Sequence, residues 1–329
     1  MKILFIFGNG FDLNLRLDTS YQHFYKFYLS QTDTDSELIK ILKENIGSEL
    51  ETWADLEMRL GEYTSELISY SQLHEIVFDI LEKLCIYLTK QESNIPLSLI
   101  DKKRFLNDLL DPEKFLTQRE KDEIQVWNKS VYAAGQNVIV SILTFNYTRT
   151  VERILGEYSS PLHIGTKKNF KAILNGIEHI HGYVDDRPIL GVNDIEQISN
   201  ISLRESQEAI EAFVKPLHNR MLGHTRDEHC SREIQVANLI CIFGSSIGET
   251  DKKWWKEIGT RLIKNARLIV FVRGKNYGPV RGILGVQEKR KIKDRILAYS
   301  ELSVSDRKKA EDNIYVCVNQ RIFDIYNDT

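Results

Sequence analysis

Ile3-Leu4-Phe5-Ile6-Phe7-Gly8-Asn9-Gly10 is the stretch on which the fold turns, an unbroken apolar run closed by a glycine-asparagine-glycine break. Such a run predicts a strand buried on both faces of a sheet. A strand followed by G-x-G is also how a backbone approaches a phosphate. Glycine has no Cβ to clash, it adopts positive φ, and neighbouring N–H groups face the anion. The stretch therefore predicts a nucleotide-binding turn made by Gly8, Asn9, Gly10, Phe11 and Asp12. Asp12 either orients a ribose or carboxamide or fixes the loop as an Asx-turn. The plain alternative for the whole motif is a strand-end turn.

The turn is not the dehydrogenase fingerprint. Leu13 stands where G-x-G-x-x-G needs its third glycine, and no second strand ending in an acidic residue follows about 20 positions on. There is no G-K-[ST], which excludes a P-loop.

Working outward, the residues from Thr19 to about Val131 read as helix. Thr19 with Gln22 fits a capping box ahead of Tyr21, Phe24 and Tyr28. Trp53, Leu56, Leu60, Tyr63, Leu67 and Tyr70 recur every three or four positions and predict one face of a long helix. Val77, Ile80, Leu81, Leu84 and Leu88 repeat the pattern until Ser93-Asn94-Ile95-Pro96 breaks it, and Asp111-Pro112 opens a further segment. Strand signals return strongly at Asn137–Thr144, Ala237–Phe243, Arg267–Val272 and Ile314–Val318. They are weaker at Leu162–Ile164, Ile177–His181 and Ile189–Val192. Helical patterns at Thr148–Gly156, Leu203–Val214 and Asp251–Ile263 lie between them, with Pro216 ending or kinking the second. Strands alternating with helices predict an α/β fold, a Rossmann-like, doubly wound, mostly parallel sheet with a large helical insertion after the first strand. The expected division is a nucleotide-binding domain at 1–18 and 132–329 and a helical insertion at 19–131.

Bulk properties narrow the function classes. A formal net charge of -3 over 329 residues disfavours a dedicated nucleic-acid binder. The densest basic run, Lys289-Arg290-Lys291-Ile292-Lys293-Asp294-Arg295, reads as a solvated helix face. Cys85, Cys230, Cys241 and Cys317 are scattered without a C-x-x-C pair, so neither zinc nor any other metal site is expected. So few cysteines fit a reducing compartment better than a disulfide framework. No segment has the roughly 20 apolar residues of a membrane span, and the apolar start is too short for a signal-peptide core. The expectation is a soluble cytoplasmic protein.

Ligands of open α/β sheets bind at the carboxyl ends of strands. There this sequence places Phe145-Asn146-Tyr147-Thr148, His181-Gly182 and Gly244-Ser245-Ser246. Together with Gly8-Asn9-Gly10-Phe11-Asp12-Leu13, Thr19-Ser20-Tyr21, Trp53-Ala54-Asp55-Leu56-Glu57, His179-Ile180-His181-Gly182, and Gly244 to Asp251 with Trp254-Trp255, these segments resemble AbiH-type bacteriophage abortive-infection proteins. Arg16 departs from the family, which usually has glycine there. AbiH proteins are in turn distantly similar to sirtuin-type NAD-binding domains, including NAD-hydrolysing versions in antiphage systems. The resemblance implies that Asn146 and His181 cleave NAD, with Gly8 to Asp12 and Gly244, Ser245 and Ser246 holding the nucleotide. The sirtuin deacylases' four-cysteine zinc site has no counterpart here, which favours NAD cleavage over deacylation.

The residue types suit that chemistry. Nicotinamide in NAD is already a cationic leaving group, so the demand falls on oxocarbenium character at the ribose. Neutral histidine is a suitable base for water or a ribose hydroxyl, and asparagine offers an uncharged donor and acceptor. The bland readings are a structural hydrogen bond for His181, a helix cap for Asn146, caps for Ser245 and Ser246, and a helix start for Asp251. His179 reads as a packing or supporting residue, sharing a face with His181 if the strand continues. The leading expectation is an antiphage effector that hydrolyses NAD, with no cofactor beyond NAD as substrate or ligand. It would need restraint in healthy cells, through homo-oligomeric assembly or a regulatory protein partner. The alternatives are a non-catalytic nucleotide sensor and a nuclease-like toxin.

Overall fold

β1 (Lys2–Phe7) forms at the opening apolar run and pairs in parallel on both sides, with β2 (Val138–Thr144) and β5 (Leu239–Phe243). The computed structural model describes residues 1–31, 36–131, 137–275 and 282–326. With β3 (Leu162–Lys167), β4 (Phe170–His179), β6 (Arg267–Val272) and β7 (Ile314–Val318) the strands make one seven-stranded sheet in the order β3-β4-β2-β1-β5-β6-β7. Every neighbouring pair is parallel except β3 with β4. The chain is an α/β protein. It builds outward from β1 on one side through β2 and β4, then returns to build the other side through β5, β6 and β7. The winding therefore reverses at β1, where such sheets leave a crevice at the strands' carboxyl ends.

The continuous apolar runs are explained by helices on both faces. Ile3, Phe5 and Phe7 point to one side, with Val140, Ile142, Cys241 and Phe271. They pack on α6 (Lys102–Leu110), α7 (Gln118–Val131) and α8 (Thr150–Leu155) through Phe105, Leu109, Ile124, Trp127 and Val151. Leu4 and Ile6 point to the other side. There α12 (Arg226–Val236), α13 (Lys252–Leu262), α14 (Gly282–Tyr299) and α15 (Val304–Glu311) bring Ile234, Trp255, Ile258, Ile296 and Ala310.

A second hydrophobic core lies off the sheet. α2 (Tyr21–Ser30), α3 (Glu37–Ser48), α4 (Leu56–Tyr63) and α5 (Tyr70–Ser93) gather around Phe24, Tyr28, Trp53 and Ile80. α9 (Ile201–Glu205) and α10 (Gln207–Phe213) join them through Leu203 and Phe213. Packing thus sorts the chain differently from sequence order. α6 and α7 cover the sheet, whereas Leu190, Val192 and Val214 close the helical core. The expected boundary at 132 falls on residues outside those described. No helix among the described residues is long and apolar enough to cross a membrane.

Local chemistry overrides the periodicity at several points. The stripe from Trp53 to Tyr70 is not one helix. Asp55 caps α4 by accepting from the Met58 N–H at 3.1 Å, and Ser69 caps α5, so two short turns interrupt the run. A side-chain acceptor for the orphan N–H groups of a new helix makes each break affordable. Likewise Ser206 splits the expected Leu203–Val214 helix into α9 and α10. Pro216 begins α11 (Lys215–Met221) rather than ending its predecessor, since proline's missing N–H costs nothing in a first turn. Ser20, not Thr19, caps α2. Ile189–Val192 forms no strand and has only an isolated bridge from Val192 to Val214.

Candidate active site

The strand ends lie at one level. Phe7 pairs with Thr144 and Phe243, and Thr144 pairs with His179. The segments after these residues, Gly8–Asp12, Phe145–Thr148, Ile180–Gly182 and Gly244–Ser246, therefore leave the same edge of the sheet from four adjacent strands.

The two glycine turns pack on each other. Gly8 donates to the Phe243 carbonyl at 3.0 Å and Gly10 to that of Gly244 at 2.8 Å. A Cβ on Gly10 would lie 2.5 Å from Gly244 Cα, and one on Gly244, at φ +72°, would lie 2.6 Å from Gly10. These glycines are thus required by backbone-to-backbone approach, and the Gly8 and Gly10 N–H groups are occupied by protein carbonyls. Asn9 is held by Thr19, taking its hydroxyl at Oδ1 at 2.6 Å and donating from Nδ2 to its carbonyl at 3.0 Å. That bond explains why Thr19 does not cap α2. Gly10 to Asn14 form the short helix α1 (Gly10–Asn14), and Phe11 points into the core, stacked on Phe7 at 4.5 Å. Ser245 is half-buried and accepts from the Ile247 N–H, while Ser246 is exposed.

Asp12 is buried among hydroxyls. Its Oδ2 accepts from Thr148 at 2.5 Å, and Thr150 in turn donates to Thr148 at 3.1 Å. Burial raises the Asp12 carboxyl to about 6, against the lowering effect of the Thr148 and Thr150 hydroxyls and the nearby Asn146 side chain. Among the described residues, the Oδ1 of Asp12 and both side-chain polar atoms of Asn146 are buried without a hydrogen-bond partner. Orphaned buried polar atoms are uncommon, and each calls for an explanation.

β4 ends at His179, so the two histidines of His179-Ile180-His181 diverge. His179 lies between the Asn146 carbonyl at Nδ1 (2.8 Å) and Glu152 at Nε2 (2.9 Å), which steadies the Asn146 turn. His181 is buried beside Phe145, and its Nε2 meets Asp251 Oδ1 at 3.0 Å. A carboxylate only accepts, so the proton of this hydrogen bond is carried by Nε2. Asp251 also lies 3.5 Å from the Lys215 ammonium, which pairs with Glu57 at 2.7 Å. Burial pushes the Asp251 carboxyl up, but Lys215 and His181 outweigh it and hold the group below its ordinary value. Burial keeps Glu57 above the usual carboxylate range despite Lys215. Burial lowers Lys215, and Glu57 and Asp251 more than reverse it. Among the described residues no group of three or more His, Cys, Asp or Glu is arranged to hold a metal ion. A cleft of about 340 Å³ beside Arg16, Gln91 and Tyr326 shares no residue with this cluster.

A family model for bacteriophage abortive infection AbiH matches residues 4–272, which takes in most of β1, β2 through β6 and every residue of the cluster. The chain belongs to the AbiH family. No curated protein matches it in sequence. The role of this AbiH chain is accordingly in bacteriophage abortive infection.

Within the AbiH chain, the structure brings Asp12, Asn146 and the two glycine turns together, and sets His181 beside Phe145 and Tyr147. Phe11 belongs to the core, and Asn9 is spent on Thr19. Sequence reading missed the partners of His181. Asp251 is placed at the start of α13, yet its side chain makes no cap and faces the histidine instead. Glu57 was visible as the last residue of the W-x-D-x-E segment, whose Trp53 lies in the helical core. Lys215 carried no signal beyond being a lysine between apolar Val214 and Pro216.

Proposed function

We propose that this AbiH protein hydrolyses NAD at the bond between nicotinamide and ribose, depleting the infected cell of the dinucleotide. The observation that carries the reading is the His181–Asp251 pair at 3.0 Å, one strand away from the unpartnered amide of Asn146. A water oxygen attacks C1′ of the ribose as the C1′–N bond breaks. The bonding pair leaves with the pyridinium nitrogen and neutralises it, and the water's proton passes to His181 Nδ1. The products are nicotinamide, ADP-ribose and one proton. Asp251 holds the Nε2–H and stabilises the imidazolium that forms. Asn146 holds a ribose hydroxyl or the attacking water, and enclosure by Phe145 and Tyr147 limits competing solvent. The hydroxyls of Ser245 and Ser246, on a turn at the carboxyl end of β5, suit the phosphates.

The test is nicotinamide release from NAD by the purified chain, and the NAD content of phage-infected cells that express it. His181→Ala and Asn146→Ala should each lower turnover on the order of 10²-fold or more. Asp251→Asn, which lets Nε2 lose its proton, should do the same without loss of folding. NAD binding without turnover in either setting would instead make the site a sensor. Degradation of nucleic acid that survives both alanine variants would make the protein a nuclease.

A further inference from the structure

The ionisable groups behind His181 come from the helical core, not from the sheet. Glu57 is on α4, and Lys215 opens α11 immediately after Val214 of that core. Both side chains are almost wholly buried, at 9% and 5% exposure, so neither charge is screened by water. Lys215 Nζ lies 2.7 Å from Glu57 Oε2 and 3.5 Å from Asp251 Oδ1, and the same Oδ1 meets His181 Nε2 at 3.0 Å. The result is a buried row of alternating sign, Glu57, Lys215, Asp251, His181, crossing from one core to the other. Removing one member of such a row leaves an uncompensated charge for its neighbours to feel. Other titratable groups facing the row are Tyr21 and Tyr147, which the charges of Glu57 and Asp251 help to push up, and Asp55, whose charge helps to hold Lys215 up. Among the described residues the second oxygen of Glu57 is buried without a partner, and the hydrogen bond of Glu57 is to Lys215.

We infer that Lys215 and Glu57 are positioning residues for His181: the ammonium aims and neutralises Asp251, and Glu57 holds the ammonium in place. The inference rests on reading His181 as the base. It makes docking of the helical core part of the catalytic arrangement, because α4 supplies the outermost charge.

The signs of the two perturbations are opposite. Without the Lys215 ammonium, the full negative charge of Asp251 acts on the imidazole and favours its protonated form. Without the Glu57 charge, the ammonium is answered by Asp251 alone, and the protonated imidazole is disfavoured. The experiment is NMR titration of ring-labelled histidine in the full chain, with His181→Ala assigning the signal. Lys215→Met should raise the His181 midpoint by about one pH unit, and Glu57→Gln should lower it by a similar amount. The double variant removes the Glu57–Lys215 pair together, leaves Asp251 facing His181 alone and should follow Lys215→Met, and Lys215→Arg should stay near the parent. Urea unfolding of each variant confirms that it is folded before its titration is read. Shifts of the same sign, or none in the folded double variant, would overturn the inference. The titration needs no turnover, so it separates the two ideas. Opposed shifts in a protein that leaves NAD intact would refute hydrolysis and keep the coupling. Unmoved midpoints in a protein that cleaves NAD would do the reverse. Where NAD is cleaved, the low-pH limb of kcat/KM should move with each midpoint.

Discussion

Alanine at Gly10 or Gly244 should destabilise the folded chain in the absence of any nucleotide. A Cβ on residue 10 would stand 2.5 Å from Gly244 Cα and 2.9 Å from its carbonyl oxygen. Carbon atoms in contact sit at about 3.5–4.0 Å, so the two turns would have to part by about 1 Å. They cannot do so freely, because the Gly8 and Gly10 N–H groups are bonded to the Phe243 and Gly244 carbonyls. Forced overpacking of this kind costs about 1–3 kcal/mol. Gly244 adds a positive φ, worth about 1–2 kcal/mol more for an L residue. Gly10→Ala should therefore lose about 1–3 kcal/mol and Gly244→Ala about 2–5 kcal/mol. Gly285, in α14 with nothing within 4 Å among the described residues, is the control, and alanine there should be neutral or stabilising by up to about 1 kcal/mol. The assay is urea unfolding followed by tryptophan fluorescence and circular dichroism, without ligand. If Gly10→Ala unfolded at the parental midpoint and lost only NAD binding, the glycine would serve a phosphate and the packing argument would fail.

Asp12 makes a pH prediction. Its folded carboxyl titrates at about 6 against an ordinary 3.8, so the stability it contributes is fully present below pH 4 and is lost as pH rises through 6. Asp12→Asn should remove this loss and gain about 3 kcal/mol on the parent between pH 4 and pH 7. Parallel unfolding free energies of the two proteins across that range would refute it. Trp53→Ala should cost about 3–5 kcal/mol, because the ring is wholly buried against Tyr25 and Tyr63 and its Nε1 donates to Asn45. Thermal unfolding should show the loss, and Trp53→Phe should recover most of it. A near-parental melting temperature for the alanine variant would mean that the helical core does not depend on this residue.

The sheet was legible because its signals are local. The runs at Val138–Thr144, Leu239–Phe243, Arg267–Val272 and Ile314–Val318 are almost wholly apolar, as a strand covered on both faces allows. Ile189–Val192 has similar composition but becomes filling for the helical core, since a short apolar run does not say which core it enters. The helical stripe from Trp53 to Tyr70 kept its buried face, but Asp55 and Ser69 offered caps that periodicity does not count. The glycines of the opening turn were legible as obligatory. What crowds them was not, because Gly244 belongs to the turn after a strand that comes more than two hundred residues later.

The sequence by itself determined where the continuous apolar strands lie, that the sheet is mostly parallel, and which polar residues follow its strand ends, whereas the bounds of β3 and β4 were not legible in it. Those features follow from apolar runs and turn residues within a few positions of one another. The tertiary structure alone decided who meets whom at that edge. His181 finds Asp251 across 70 positions and Lys215 finds Glu57 across 158, and no local pattern encodes such distances. The pairings arise because burying both cores leaves these charges without water, and a buried charge must find its opposite.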